Sequence, residues 1–438
     1  MKKILVSSCN KEVLDAVRNG CRQYSDCLAP IFCSDTEDAL SLIDYELPEI
    51  KVLDFASEEI DCNRILASIH ADPWLHNGGI IAIVNNAKEA EEIENKKDPN
   101  ILIVQTVYTF IQNFERLLKV LWGNQQFLFT RGMQYRMGSD EKGSFVCDNN
   151  PLDIRLYAGF LVNYLYCCNR ISDDGRYALQ TTLMELLTNA LEHGNCGISY
   201  SEKNDFLMTG GNILDLINER SCLPQNINKK IHISYLIAKE KSTFTITDQG
   251  EGFDWKSQIA SDRPSDDRAH GRGINLSTSL VSDLRYNKKG NEVSFDILNI
   301  QNTANTVPGI MAPFKLIEYK RHEIVCRQNE PTTDLYFIVS GRYGVYANGK
   351  LISVLTPNDM FIGEMAFLLN DRRSATIMSA DQGKLIRIPK VSFVNLIRKN
   401  PHYGIFLSKL LAQRVLRQNQ KTLELSAKIA ELEAELGD

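Results

Sequence analysis

Phe361-Ile-Gly-Glu-Met-Ala-Phe-Leu-Leu369, then Asn370, then Asp371-Arg-Arg-Ser-Ala-Thr-Ile377, is the stretch that decides how the C-terminal third is read. A Gly-Glu-Met-Ala turn offers backbone N–H groups beside one carboxylate, and Arg373 adds a charged planar fork. A cyclic sugar phosphate needs those parts: an acceptor for the ribose hydroxyl, and a guanidinium with N–H groups for the anion. A strand-loop-strand with a surface arginine explains neither the Gly-Glu pair nor the Arg-Ser-Ala run. Around this stretch, residues 322–390 alternate short apolar runs with Asn, Gly, Pro and Asp, the pattern of a small antiparallel barrel or sandwich.

The stretch is similar to the phosphate-binding cassette of the cyclic-nucleotide-binding domain family. The similarity spans about residues 312–415 and includes Asp334-Leu-Tyr-Phe-Ile-Val-Ser-Gly341 as an earlier strand and turn. It implies a jelly-roll-like β-barrel with C-terminal helices, and cAMP or cGMP as ligand. By the resemblance Glu364 takes the ribose 2′-hydroxyl and Arg373 the phosphate, while Gly363, Met365, Ala366, Ser374 and Ala375 line the cup. Ser374 suits either phosphate or a guanine edge, so the base stays open.

Upstream, three segments belong together. Glu185-Leu-Leu-Thr-Asn189, continuing Ala190-Leu-Glu-His-Gly-Asn195, places Glu185 and Asn189 four apart on one helix face, where they can address Mg²⁺ and its waters. Asp248-Gln-Gly250-Glu-Gly252 follows an apolar run, and Asp248 can accept a hydrogen bond from an exocyclic amine. Gly271-Arg-Gly273 opens a helical pattern and suits phosphate oxygens. Their order and spacing resemble the N, G1 and G2 boxes of the GHKL ATPase family, nearest to its anti-sigma-factor serine kinase branch. The resemblance implies an α/β sandwich over residues 145–305 that binds ATP and Mg²⁺, with a lid over 254–270. It assigns the catalytic carboxylate to Glu185, the metal to Asn189, the adenine amine to Asp248, pocket shape to Gly250 and Gly252, and phosphates to Gly271, Arg272 and Gly273. No phosphoacceptor-histidine helix precedes the site, so a histidine kinase is disfavoured and His193 reads as structural or nucleotide-proximal. Residues 196–229 are a polar stretch that reads more readily as a surface insertion than as a partner-docking element.

Residues 1–125 alternate buried-strand runs, at 3–6, 50–53, 79–84 and 101–104, with helical patterns at 12–24 and 36–47. This predicts a doubly wound α/β domain. It resembles the response-regulator receiver, with Asp54 where the phosphoacceptor stands. Ser7-Ser8-Cys9 replaces the acidic pair, Asn85-Asn86 the hydroxyl residue and Gln105 the lysine. The domain is therefore expected to be a pseudo-receiver used for docking or dimerisation. Residues 126–144 are expected as a helical linker, and 416–438 as a terminal helix. There Leu411, Val415, Leu425, Ile429, Leu432 and Leu436 suit a short coiled coil and a homodimer.

Composition bounds the rest. The chain has 438 residues and a net charge of −6, which fits about three domains and argues against nucleic acid as main partner. Nine Lys or Arg and no acid fall in 384–421, read as a solvated face. Eleven Cys without a C-x-x-C pair, no signal-peptide pattern and no membrane-length apolar run point to a cytoplasmic protein with reduced thiols. The expected function is cyclic-nucleotide-regulated ATP-dependent phosphorylation of a Ser or Thr on a STAS-type partner. The alternative is a non-catalytic scaffold, gated by both nucleotides, that sequesters a partner such as a sigma factor.

Overall fold

The computed structural model describes residues 2–72, 74–76, 79–96, 98, 100–124, 141–168, 170–238, 240–255, 282–299 and 307–436. They divide into two units, residues 1–40 with 48–306, and residues 41–47 with 307–438.

The first unit begins with β1 (Lys2–Ser7), α1 (Lys11–Cys21), β2 (Leu28–Cys33), the first turn of α2 (Thr36–Glu46), whose residues 41–46 fall in the second unit, β3 (Ile50–Asp54), α3 (Cys62–Ala71), β4 (Gly79–Val84), α4 (Ala87–Asn95), β5 (Ile101–Thr106) and α5 (Val107–Gly123). The strands form a parallel sheet in the order β2-β1-β3-β4-β5, the doubly wound order that the alternation predicts. Every residue of β3 and β4 is buried, as strands covered on both faces require. Four of the five strands lie where the apolar runs predict them. The fifth, β2, escapes that reading because Pro30 interrupts its run; the strand lies at the sheet edge, where a missing N–H is tolerated.

Two of the positions expected to differ from an active receiver, Ser8 and Asn86, make local contacts. Ser8 Oγ donates to Asp54 Oδ2 at 2.5 Å, and Ala56 N donates to Oδ1 at 3.1 Å. Asp54 is buried, which raises its carboxyl above the usual range against the pull of those donors. Asn86 is the N-cap of α4, accepting from the N–H groups of Lys88 and Glu89.

The same unit continues through β6 (Glu141–Asp148), α6 (Pro151–Cys167), α7 (Asp173–Asn189), a π-helical turn (Ala190–Asn195), α8 (Tyr200–Met208), α9 (Ile213–Ser221), β7 (Lys230–Ile237), β8 (Lys241–Thr247), β9 (Ser282–Tyr286) and β10 (Glu292–Leu298). These strands make an antiparallel sheet in the order β6-β7-β8-β10-β9. In β7 and β8 buried residues alternate with more exposed ones, so one face packs on the core beneath the helices. The expected helical linker over 126–144 needs correction at its end. Residues 141–144 are strand and pair with residues 234–237 of β7, while 126–140 lie outside the described residues. The alternation Phe145, Cys147 in the same strand shows why: both side chains are buried, and they set the register of the whole of β6. The polar stretch 196–229 folds as the pair α8 and α9.

One apolar cluster runs through both sheets of this unit, from Ile4 and Ile81 to Phe244 and Ile297. Helix α6 lies against β5; a Cβ at Gly159 would approach the Leu102 carbonyl to 3.2 Å, so glycine permits the contact. Arg116 on α5 forks onto Asp153 on α6, with Nε–Oδ1 and Nη2–Oδ2 both at 2.7 Å, and also reaches Asp148 at 3.2 Å.

In the second unit, β11 (Lys315–Tyr319), β12 (Ile324–Cys326), β13 (Leu335–Ser340), β14 (Tyr343–Ala347), β15 (Lys350–Leu355), β16 (Phe361–Ile362), β17 (Thr376–Ser379) and β18 (Gly383–Ile388) form two four-stranded antiparallel sheets. Their orders are β11-β18-β13-β16 and β12-β17-β14-β15. Tyr336, Ile338, Tyr343, Ile362, Ile377 and Leu385 fill the space between them. Helix α10 (Glu364–Leu369) interrupts the strands, and α11 (Lys390–Lys399) and α12 (Pro401–Leu436) follow. The expected boundary at 415/416 falls inside α12, which is one helix of 36 residues; no Gly or Pro occurs between Ile405 and Glu435 to end it sooner.

Asp153 is buried, so its partner matters more than a surface pair would. Arg116→Met should destabilise the first unit by about 3 kcal/mol in urea unfolding, because it leaves an uncompensated buried carboxylate. The double variant Arg116→Met/Asp153→Leu should recover most of that loss.

Candidate functional site

The first site is a cavity of about 380 Å³ between α7, the π turn and the β8–β10 end of the antiparallel sheet. Asn189, Asp248 and Gly252 line it, together with His193, Tyr200, Phe253 and Tyr286. Its two expected boxes interlock through glycine. A Cβ on Gly194 would meet the Asp248 carboxyl carbon at 2.5 Å, and a Cβ on Gly250 would overlap the Gly194 carbonyl. Gly250 packs against Gly194 and does not itself line the cavity. Gly252 takes a positive φ of 80°, and a side chain there would strike the Lys289 carbonyl.

Polar contacts complete the lock. Asn195 Oδ1 accepts from Gln249 N at 2.8 Å, its Nδ2 donates to Asn149 Oδ1 at 2.7 Å, and Lys229 Nζ donates to its carbonyl at 3.1 Å. Asn291 Nδ2 donates to the Asp248 carbonyl at 3.0 Å. Gly194 and Asn195 are positioning residues that sequence reading passed over; the run His-Gly-Asn was their only signal. Burial holds the Asp248 carboxyl above the usual range, opposed by the Gly250 N–H and by Lys289 and Lys229. Burial also pushes the His193 imidazole down, and its Nδ1 lies 2.6 Å from the Ile198 carbonyl. That contact suits the structural reading of His193, and its place in the cavity lining suits the nucleotide-proximal one.

Glu185 lines a neighbouring cleft rather than this cavity, and Asn189 Nδ2 donates to its Oε1 at 3.4 Å. The Asn189 amide oxygen takes no part in that bond. Among the described residues no group of three or more His, Cys, Asp or Glu could hold a metal. The Asn189 amide oxygen is a group that could take one place on a Mg²⁺ otherwise held by nucleotide phosphates and water. Gly271, Arg272 and Gly273 lie outside the described residues.

The second site is the cup around α10. Gly363 caps the helix in the left-handed region at φ 87°, and Asn370 ends it at φ 56°. Arg373 is buried beneath the turn: Nη2 donates to the Asp334 carbonyl at 2.7 Å, Nη1 to the Gly363 carbonyl at 3.3 Å and Nε to Thr332 Oγ1 at 3.0 Å. A Cβ on Gly363 would collide with Arg373 Nη1. Glu364 accepts from Arg414 Nη1, on α12, at 2.6 Å. Met365 and Ser374 are exposed and Ala375 half-buried, whereas the Ala366 side chain is buried. Arg414 lies fifty residues beyond Glu364, and only the fold brings it to the cup.

Residues 148–297 match the family described as histidine kinase-like ATPase domain, and residues 316–400 the cyclic nucleotide-binding domain. The chain carries both domains, a combination that fits a cyclic-nucleotide-regulated ATP-binding protein. The Pycsar effector protein BcPycTIR of Burkholderia cepacia is 29% identical over 107 residues, 24% of this chain and 35% of that protein. A cGMP-dependent protein kinase of Plasmodium berghei is 35% identical over 75 residues, 17% of this chain and 9% of the kinase. The chain thus spans only a minor part of each relative. The crystal structure of Thermus thermophilus catabolite activator protein aligns at 24% identity and a TM-score of 0.24, covering 27% of this chain and 57% of that one. Among the described residues no helix is long and apolar enough to cross a membrane.

Two measurements test the sites. An ionised Asp248 accepts an amine hydrogen bond best, so ATP affinity should fall as pH drops through its raised pKa. Asp248→Asn should bind ATP more weakly, with that pH dependence removed; fluorescence titration from pH 8 to 5 reads both. In the cup, Arg414 occupies the Glu364 carboxylate that the family resemblance assigns to the ribose. Arg414→Gln should tighten cAMP or cGMP binding up to about fivefold by calorimetry, the scale of a partly exposed ion pair.

Proposed function

We propose that the chain is a signalling kinase: its middle domain transfers the γ-phosphate of ATP to a Ser or Thr of a partner protein, under control of a cyclic nucleotide bound in the cup. The observation that carries the reading is the pairing of Glu185 with Asn189 at the edge of a cavity lined by Asp248. A carboxylate there can take the proton of an attacking hydroxyl, while Asp248 selects adenine and Asn189 serves the phosphates. Mg²⁺, when bound, would shield the phosphate charge. Gly271, Arg272 and Gly273 are assigned to the phosphates on the sequence resemblance alone.

The partner class that suits the GHKL serine kinase branch is a STAS-type protein or the sigma factor it controls. In the cup, Glu364 would take the ribose hydroxyl and Arg373 the cyclic phosphate, exchanging backbone acceptors for the anion. Gly363, Met365, Ser374 and Ala375 would line it, with Ala366 supporting from the core. The N-terminal domain is read as a pseudo-receiver, because Asp54 is buried against Ser8 where an active site would hold acids and metal. Exposed Val415, Leu425 and Ile429 on α12 support a homodimer through this helix. A cytoplasmic setting suits these nucleotides.

Transfer of labelled γ-phosphate to STAS-type proteins, with and without cyclic nucleotide, tests the proposal. Glu185→Ala should lose at least about a hundredfold in turnover while keeping its ATP affinity. Unchanged partner binding by a protein with no transfer in any condition would instead establish the sequestering scaffold.

A further inference from the structure

Beside the nucleotide cavity lies a second cleft of about 450 Å³, and α7 runs between the two. Tyr177, Gln180, Thr181, Met184, Glu185 and Thr188 follow three- and four-residue spacing, so they form one stripe along α7, and all of them line the cleft. The adjoining stripe, with Leu186 and Asn189, lines the nucleotide cavity. Glu185 stands at the seam, on the cleft side and in contact with the Asn189 amide.

The opposite wall comes from the N-terminal α/β domain: residues 101–104 of β5, with Ile93 and Glu94 of α4. Arg155 on α6 closes one side and is held by Glu94 at 2.7 Å. Glu94, Asp98 and Glu185 line the cleft against this one guanidinium, and Asp98 meets His70 Nε2 at 2.8 Å. The balance of charge at the cleft is therefore acidic.

We propose that this cleft is the acceptor subsite and takes a Ser- or Thr-bearing segment of a protein, with a basic residue next to the hydroxyl. The inference rests on the kinase reading above and adds the place and the selectivity of the acceptor. Position argues for it: Glu185 lines the cleft and is hydrogen-bonded to Asn189, which lines the nucleotide cavity. Charge argues for the basic neighbour: Glu94 and Asp98 are already paired with Arg155 and His70, which leaves the Glu185 carboxylate for an incoming cation. In the reaction the acceptor Oγ forms a bond to the γ-phosphorus, the bond from phosphorus to the β–γ bridging oxygen breaks, and ADP leaves with that electron pair. The hydroxyl proton passes to the Glu185 carboxylate. The N-terminal domain, without phosphoacceptor chemistry of its own, then serves as a substrate-selecting wall.

The test uses the full-length protein, γ-labelled ATP and a library of Ser- and Thr-centred peptides with each flanking position set to Lys or Glu. Lys-flanked peptides should be favoured about tenfold in kcat/KM. Gln180→Arg, on an exposed position of the cleft stripe, should abolish or reverse that preference, and Tyr177→Ala should raise the peptide KM about fivefold, both with the ATP Kd unchanged. Peptide phosphorylation whose KM and flank preference are the same in wild type and both variants would overturn the cleft assignment and leave the kinase reading standing. ATP binding without phosphorylation of any peptide would overturn both.

Discussion

The fork of Arg116 on Asp153 is the contact on which the first unit's geometry depends. It joins the last helix of the parallel-sheet domain to the first helix of the ATPase domain. Because Asp153 is buried, the pair has little freedom to slide, and Gly159 lets α6 settle against the carbonyl of Leu102. Such a pair adds less to net stability than to the choice of one arrangement, since misplacing either partner strands a charge in the core. Helix α7 packs on α6 and carries both Glu185 and Asn189. Together with the apolar cluster that runs through both sheets, the fork holds the N-terminal domain beside the helices that carry the nucleotide cavity.

Much of this was legible in the sequence because the signals are local. The continuous apolar run at 79–84 reads directly as buried β4, and Asp248-Gln-Gly250 reads as a turn after a strand. What escaped reading is long-range or masked by one residue. Pro30 hides β2, although an edge strand accommodates it. Gly194 looks like a helix breaker, and only its closeness to Asp248 explains it. Residues 141–144 look like the end of a linker until β7 appears as their partner.

The candidate residues sort in the same way. Asn189, Asp248 and Gly252 gather at one cavity, but Glu185 turns toward the neighbouring cleft, a distinction of about one helical step that spacing alone does not resolve. In the cup, Arg373 donates to the Gly363 carbonyl and Glu364 meets Arg414, while the Ala366 side chain is buried. The helix that brings Arg414 lies beyond any motif, so its contact belongs to tertiary structure alone.

The length of α12 gives its contact with the cup a mechanical meaning. Arg414 grips Glu364 near the middle of a helix that continues to Leu436. At about 1.5 Å per residue the remaining arm is about 33 Å long. A tilt of about 10° about the arginine would sweep the far tip through about 6 Å, several times the shift needed to break one hydrogen bond. The ion pair is thus a fulcrum, and a displacement too small to disturb the barrel is enlarged along the helix into one that a second helix could register.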